Sequence, residues 1–278
     1  MTETIIEFLK AVLFGVVEGI TEWLPISSTG HMLLLYEFVE LKVSREFYDM
    51  FQVVIQLGAI MAVVILFWSK IFPFGKGEKG ICIKKDIMSL WGKILVACVP
   101  AAVVGLLFDE VFEALFYNHV CVSIALIVFG IAFIIIETAN KGKTFKVNSM
   151  QELTYTLALA IGLFQLIAAV FPGTSRSGAT IVGALILGVS RVVAAEFTFY
   201  LAIPVMFGAS LLKILKFGFA FTGTEIAILA IGMVTAFAVS LFVIKFLMGY
   251  IKKHDFKVFG WYRIVLGILV LAYFAIFA

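Results

Sequence analysis

Charge is what this chain has least of. Asp, Glu, Lys and Arg make up 14% of its 278 residues, while 63% are hydrophobic and the mean hydropathy is +1.14, which excludes a water-soluble globular domain of this size. Cysteine is nearly absent: Cys82, Cys98 and Cys121 stand far apart in or beside apolar segments, with neither the pairing of a disulfide framework nor metal-ligand spacing. No Walker-type glycine loop and no nucleotide-binding domain is legible, so ATP is not the expected phosphate donor, and nucleic acid is not an expected partner. The opening stretch MTETIIEFLK carries Glu3 and Glu7 instead of a basic leader and precedes no small-residue cleavage site, so the first apolar segment is expected to stay in the mature protein.

Apolar length is what the chain does have. Six stretches, at about 50–69, 92–108, 119–138, 193–214, 225–248 and 261–278, approach the roughly 20 helical residues that cross a hydrocarbon core. Two more, 4–40 and 153–189, are broken in the middle by Pro, Gly and hydroxyl residues and read as re-entrant hairpins of two half-length helices. The broken regions resemble each other. GVVEGITEWLPISST (15–29) lies over GLFQLIAAVFPGTSR (162–176) at an offset of 147, matching Gly15 with Gly162, Glu18 with Gln165, Pro25 with Pro172 and Ser28 with Ser175. SREFYDMF (44–51) then lies over SRVVAAEF (190–197) at an offset of 146.

The expected fold is therefore an all-α polytopic membrane protein of two repeats, 1–139 and 140–278, each a re-entrant hairpin plus three spans. Three is odd, so the second repeat enters the bilayer from the opposite side and the repeats are inverted. Loop charges agree. Lys70, Lys76, Lys79, Lys84 and Lys85 follow the first span, Lys141, Lys143 and Lys146 the third, and Lys252, Lys253 and Lys257 the fifth, whereas Asp109, Glu110 and Glu113 follow the second. The positive-inside rule puts the lysine-rich loops in the cytoplasm and both termini outside, with Lys213 and Lys216 as exceptions. The two hairpin tips then meet near the midplane.

Irregular backbone and ionisable side chains at that depth are a functional hypothesis by default. In the first tip Glu18 and Glu22 project from one helical face a turn apart, before Pro25 ends the helix. Their repulsion is relieved if they share a divalent cation or if one is protonated and the other acts as a base; a salt bridge to Arg176 or a Lys is the plainer reading. Ser27, Ser28, Thr29, Gly30 and His31 follow, offering helix-capping hydroxyls, a candidate nucleophile in Ser28 and a proton carrier in His31. Ser27 and Thr29 serve equally well as caps alone. The second tip, PGTSRSGAT (172–180), sets Ser175, Arg176, Ser177 and Gly178 at a helix start, an arrangement suited to an anion and to phosphate above all.

Together the tips hold a base or cation site, a nucleophile, a proton carrier and a phosphate cradle, which suits phosphoryl transfer to water. At mid-depth, among helices rich in Phe, the fitting substrate is a lipid with a phosphorylated or diphosphorylated head. The alternative is a transporter or flippase of such a phosphorylated lipid, since broken helices meeting at the midplane are transporter architecture. A purely structural scaffold would leave the buried charges idle.

EGITEWLPISSTGH (18–31) with PGTSRSGAT, GVSRVVAAEFTFYLAIP (188–204) and FQVVIQLGAI (51–60) closely resembles the undecaprenyl-diphosphate phosphatase family, the bacitracin resistance proteins, from about residue 5 onward. The resemblance implies hydrolysis of a C55 isoprenyl diphosphate to the monophosphate carrier lipid and inorganic phosphate, in the bacterial plasma membrane, for peptidoglycan synthesis. It also implies a divalent cation such as Mg or Ca, a homodimer and a site open to the outer side. By position it assigns Glu18 and Glu22 as the essential carboxylates and cation site, Ser28 and His31 as the hydroxyl and imidazole, and Arg176, flanked by Ser175 and Ser177, as the diphosphate-binding cation. Ser27, Thr29 and Gly178 are expected to line the diphosphate site. Thr174 stands where many members have an aromatic residue. Whether Ser28, His31 or a water attacks phosphorus stays open.

Overall fold

A computed structural model describes residues 2–77 and 80–277. Lys79 lies outside the described residues, as do the side chains of Lys76, Asp109, Glu110 and Glu113. The molecule is helical, in the order α1 (Thr2–Thr21), α2 (Ser28–Phe38), α3 (Arg45–Leu66), α4 (Trp68–Ile71), α5 (Lys85–Phe116), α6 (His119–Ala139), α7 (Tyr155–Val170), α8 (Arg176–Ile186), α9 (Arg191–Phe217), α10 (Gly223–Tyr250) and α11 (Lys257–Phe277). Between α4 and α5 the chain makes a two-stranded antiparallel hairpin, β1 (Phe74–Gly77) with β2 (Gly80–Ile83), which the sequence did not announce.

Among the described residues, six helices are long and apolar enough to cross a membrane: α3, the Lys85–Phe108 part of α5, α6, α9, α10 and α11. They overlap the six expected stretches; five of them start earlier than expected, and α3 stops at Leu66, three residues short of the expected end. α5 runs on to Phe116 straight through Pro100, and α9 runs through Pro204. Each proline leaves one carbonyl a turn earlier without its helical donor, a defect that packing by neighbouring helices tolerates within a bundle. Large side chains such as Leu106, Leu107, Phe242 and Phe246 are exposed on these helices, as lipid-facing surfaces require.

Each broken region is a helix, a turn and a second helix, but the first helices are longer than half a span. α1 has 20 residues and α7 has 16, while α2 and α8 have 11 each. The first helix of each pair packs on a span of the other half, α1 on α10 and α7 on α5, and α3 packs on α9 as α6 does on α11. Close approach explains two matched glycines. A Cβ on Gly15 would stand 2.6 Å from the Gly232 carbonyl oxygen, and one on Gly162 would collide with the Ala97 carbonyl. Gly232 and Ala97 lie well inside α10 and α5, so α1 and α7 reach deep into the bundle.

The lysine-rich loops gather at one end. Lys70 Nζ binds Glu196 Oε1 at 2.7 Å, tying the loop after α3 to the start of α9. Glu137, at the end of α6, binds Arg191 Nε at 2.8 Å and accepts the Phe256 amide at 3.0 Å, bringing in the loop between α10 and α11. The start of α1 and the last turns of α11 lie at the opposite end of the bundle, where Lys42 pairs with Glu3 and Tyr273 packs on Phe38.

Candidate active site

The two turns are built on one backbone device. α1 stops at Thr21 before Pro25, and Ser27, at φ 72°, caps α2 by accepting the Gly30 amide at 3.3 Å. α7 stops at Val170 before Pro172, and Ser175, at φ 68°, caps α8 by accepting the Gly178 amide at 3.1 Å. Positive φ is strained for a serine, and strain of this kind is held in place only by well-determined surroundings. The structure thus corrects the repeat register. Ser27, not Ser28, matches Ser175, and Ser28 matches Arg176 as the first helical residue. The offset is 147 as far as the prolines and one more after them, because the second turn carries the extra Gly173 at φ 90°.

Those two first-turn residues converge on one carboxylate. Ser28 Oγ donates to Glu22 Oε2 at 2.8 Å, and Arg176 Nη2 donates to Glu22 Oε1 at 2.9 Å. Ser177 Oγ donates to the Glu22 carbonyl at 3.3 Å, closing the second turn on the first. Arg176 Nη1 is anchored on the Thr198 carbonyl at 2.9 Å, while its Nε is buried without a partner. Glu22 is buried, so it lies between a cation and a hydroxyl in a site shielded from water. The plain ion-pair reading of Arg176 therefore holds for Glu22.

Glu18 differs. It is 1% exposed, and neither carboxylate oxygen has a partner. Together with Ser28 and Thr29 it lines a cavity of about 230 Å³ that extends past Gln52 and Gln56 of α3 to Asp49, Tyr117 and Lys213, at the end away from the lysine-rich loops. Two orphaned, buried carboxylate oxygens on a cavity wall suit a hard cation that takes its remaining ligands from phosphate and water, as Mg does. Among the described residues no three His, Cys, Asp or Glu side chains converge. The donor set therefore fits such a cation through Glu18, with Glu22 adjoining.

His31 does not join the cluster. Its Nδ1 lies 2.7 Å from the Ser27 carbonyl, which can only accept, so Nδ1 carries the proton; Nε2 lies 2.6 Å from Tyr262 Oη and in the neutral imidazole accepts from that hydroxyl. The rings stack with centroids 5.6 Å apart. Among the expected diphosphate ligands, the Ser27 and Ser175 hydroxyls act as caps, the Gly178 amide is engaged by the Ser175 cap, and Thr29 faces the cavity.

Sequence reasoning missed Arg263. It is fully buried in α11, within hydrogen-bonding distance of the carbonyls of both turns. A charge inside an apolar span was the available signal, and it had been weighed only at the tips. Gln165, the repeat partner of Glu18, is likewise buried with both amide atoms unpartnered. Gln52 and Gln56 lie in the FQVVIQLGAI stretch, which was given no site role, and Tyr262 and Lys213 carry no motif that marks them.

The family model for the bacitracin resistance protein BacA matches residues 11–269 of the chain. The chain is also 65% identical to the undecaprenyl-diphosphatase of Desulfitobacterium hafniense over 271 residues, covering 98% of this chain and 97% of that one. Similarity to undecaprenyl-diphosphatase 1 of Clostridium acetobutylicum is 64% identity over 271 residues, covering 98% of each chain. An undecaprenyl-diphosphatase of Enterococcus faecalis is 61% identical over 272 residues, again covering 98% of each.

Proposed function

We propose that this chain, which belongs to the bacitracin resistance protein BacA family, is an integral-membrane phosphatase that hydrolyses undecaprenyl diphosphate to undecaprenyl phosphate and inorganic phosphate. The product is the carrier lipid of peptidoglycan synthesis, and its recycling confers bacitracin resistance. One observation carries the reading at the level of chemistry: Glu22 holds a hydroxyl and a guanidinium at hydrogen-bond distance on its two oxygens, one from each turn.

Attack falls to Ser28 in this reading. As Oγ bonds to the terminal phosphorus, its proton passes to Glu22 Oε2 and the bridging P–O bond breaks, releasing the lipid monophosphate. Water then cleaves the phosphoserine to free phosphate. Arg176 turns from Glu22 to the phosphoryl oxygens, joined by the first amides of α2 and α8, which have no intrahelical acceptor. A divalent cation held through Glu18, with Glu22 adjoining, would neutralise diphosphate charge. His31 and Tyr262 orient the start of α2 from the far side, and Thr29, Ser175, Ser177 and Gly178 shape the cradle.

The same reading places the protein as two inverted repeats, 1–139 and 140–278, in the bacterial plasma membrane, working as a homodimer. The lysine-rich end is cytoplasmic, the termini are outside and the cavity beside Glu18 opens outward. The exchanged packing of α1 on α10 and α7 on α5, and the clustering of lysine-rich loops, support it.

The test is phosphate release from a polyprenyl diphosphate by the purified full chain in detergent micelles, where no gradient exists to drive transport. Ser28→Ala should fall below about one hundredth of the wild-type kcat with folding intact. If wild type releases no phosphate but moves the lipid in vesicles, the transporter reading replaces this one; if Ser28→Ala stays active, the nucleophile is water or His31.

A further inference from the structure

Arg263 has no part in the chemistry above and is nonetheless fully buried. Among the described residues no carboxylate lies within ion-pair distance of it. A buried cation without a counter-ion is costly, and it is held here by backbone oxygens and by the face of Phe129, 5.8 Å from its ring centroid. Nη2 donates to the carbonyls of Thr174 at 2.7 Å and Gly173 at 3.0 Å, both in the second turn, and reaches Ala125 O at 3.5 Å. Nη1 donates to the Pro25 carbonyl, in the first turn, at 3.2 Å, and Nε to Leu126 O at 3.4 Å.

One planar guanidinium thus spans three chain segments: the first turn, the second turn and α6. Its contacts fall just ahead of the reacting groups. Pro25 precedes the Ser27 cap by two residues, and Thr174 immediately precedes Ser175. A Cβ on Gly178 would come within 2.8 Å of Nη1, so the guanidinium also occupies the space a side chain on the first turn of α8 would need. Lysine, with three donors at one point, cannot reach carbonyls spread over three segments.

We propose that Arg263 is a positioning residue for the phosphoryl transfer: by binding the carbonyls of both turns it fixes how far apart Ser28 and Arg176 stand across Glu22. This rests on the hydrolytic reading above. Loosening the tie leaves the lipid-tail contacts and the residues within each turn in place while misaligning one turn against the other. The loss should therefore fall on kcat and spare KM, since small misplacements cost far more in reaction than in binding.

The experiment compares the full-length wild type, R263K, R176A and the double variant in detergent, with phosphate release from a polyprenyl diphosphate as the assay. A silent wild type would refute the hydrolytic reading itself and is distinguishable from failure of the present one. With an active wild type, R263K should elute and melt like it, keep KM within about threefold and lose about 30- to 100-fold in kcat. In the R176A background the same change should cost less than about threefold more, because two residues serving one alignment are not additive. An R263K enzyme with unchanged kcat, or a loss that multiplies in full with that of R176A, would overturn the proposal. Should R263K not fold, R263Q, whose amide still donates to two carbonyls, takes its place under the same criteria. If neither folds, Arg263 is a strut of the bundle and the proposal fails.

Discussion

The first and second turns share their backbone and divide their chemistry. Both have a proline that stops a helix, a capping serine at positive φ, and a glycine amide in the cap. At the first helical position, however, one carries Ser28 and the other Arg176, and where the first has Glu18 and Glu22 the second has Gln165 and Ala169. The difference shows how two turns of like backbone make an asymmetric site. Geometry comes from the repeated part, while acid, hydroxyl and cation come from positions where the copies diverged. Neither turn alone holds a hydroxyl, a carboxylate and a guanidinium.

The largest effect should come from removing what only the second turn supplies. Arg176→Ala deletes both the cation of the cradle and the partner of Glu22. Phosphate release should fall on the order of a thousandfold, about 4 kcal/mol of transition-state stabilisation. Steady-state assays on protein with an unchanged elution profile would check this. Activity within tenfold of wild type would mean that the first turn suffices on its own, ending the idea of divided chemistry.

Next comes the one residue the second turn has in excess. Gly173 sits at φ 90°, and a Cβ there would lie 2.5 Å from the Val122 carbonyl oxygen. Gly173→Ala combines strain with a backbone collision and should destabilise by about 3 kcal/mol. Gly142, at φ 77° with open space around it, isolates the conformational part. Gly142→Ala should cost only about 1 kcal/mol. Thermal melting of both variants in one detergent measures the gap.

Gly173 also marks where the sequence stopped being legible. Apolar length gave all six spans, because the requirement for internal hydrogen bonding and hydrophobic length acts on every residue of a span. The broken regions were legible from Pro25 and Pro172, and the meeting of Glu22 with Arg176 followed from matching them. A single inserted residue was not legible, since one glycine shifts a register without changing composition, and so Ser175 was matched to Ser28 instead of Ser27. Arg263 escaped because its partners are carbonyls, which every residue has. The placing of His31 against Tyr262 depends on which face of α2 looks toward α11, and no local pattern in the sequence states that.

A smaller effect should separate Glu18 from its repeat partner. Glu18→Gln makes the two positions chemically equal while keeping volume. If the orphaned carboxylate holds a divalent cation, the Mg concentration for half-maximal activity should rise about tenfold, the equivalent of about 1.4 kcal/mol. Gln165→Glu should not restore it, because Gln165 does not line the cavity. A Mg titration that Glu18→Gln leaves unmoved would show that the carboxylates of the first turn are not used as a cation site.

The smallest effect should come from the part the turns share. Ser27 and Ser175 each cap a helix, a contribution of about 1 kcal/mol, and each holds φ near 70°, a strain of similar size. Glycine gives up the hydroxyl but adopts positive φ freely, and at a cap it costs only a few tenths of a kcal/mol relative to serine. Ser27→Gly and Ser175→Gly should therefore leave the melting temperature within about 2 °C of wild type, whereas the corresponding alanines lose the cap and keep the strain. Equal behaviour at the two sites is the point of the measurement. Ser175 Oγ has an additional contact, Ser177 Oγ at 3.1 Å, that Ser27 lacks. If Ser175→Gly alone loses activity while its fold holds, the second serine belongs to the phosphate cradle as well as to the cap, and the division of labour reaches into the shared backbone.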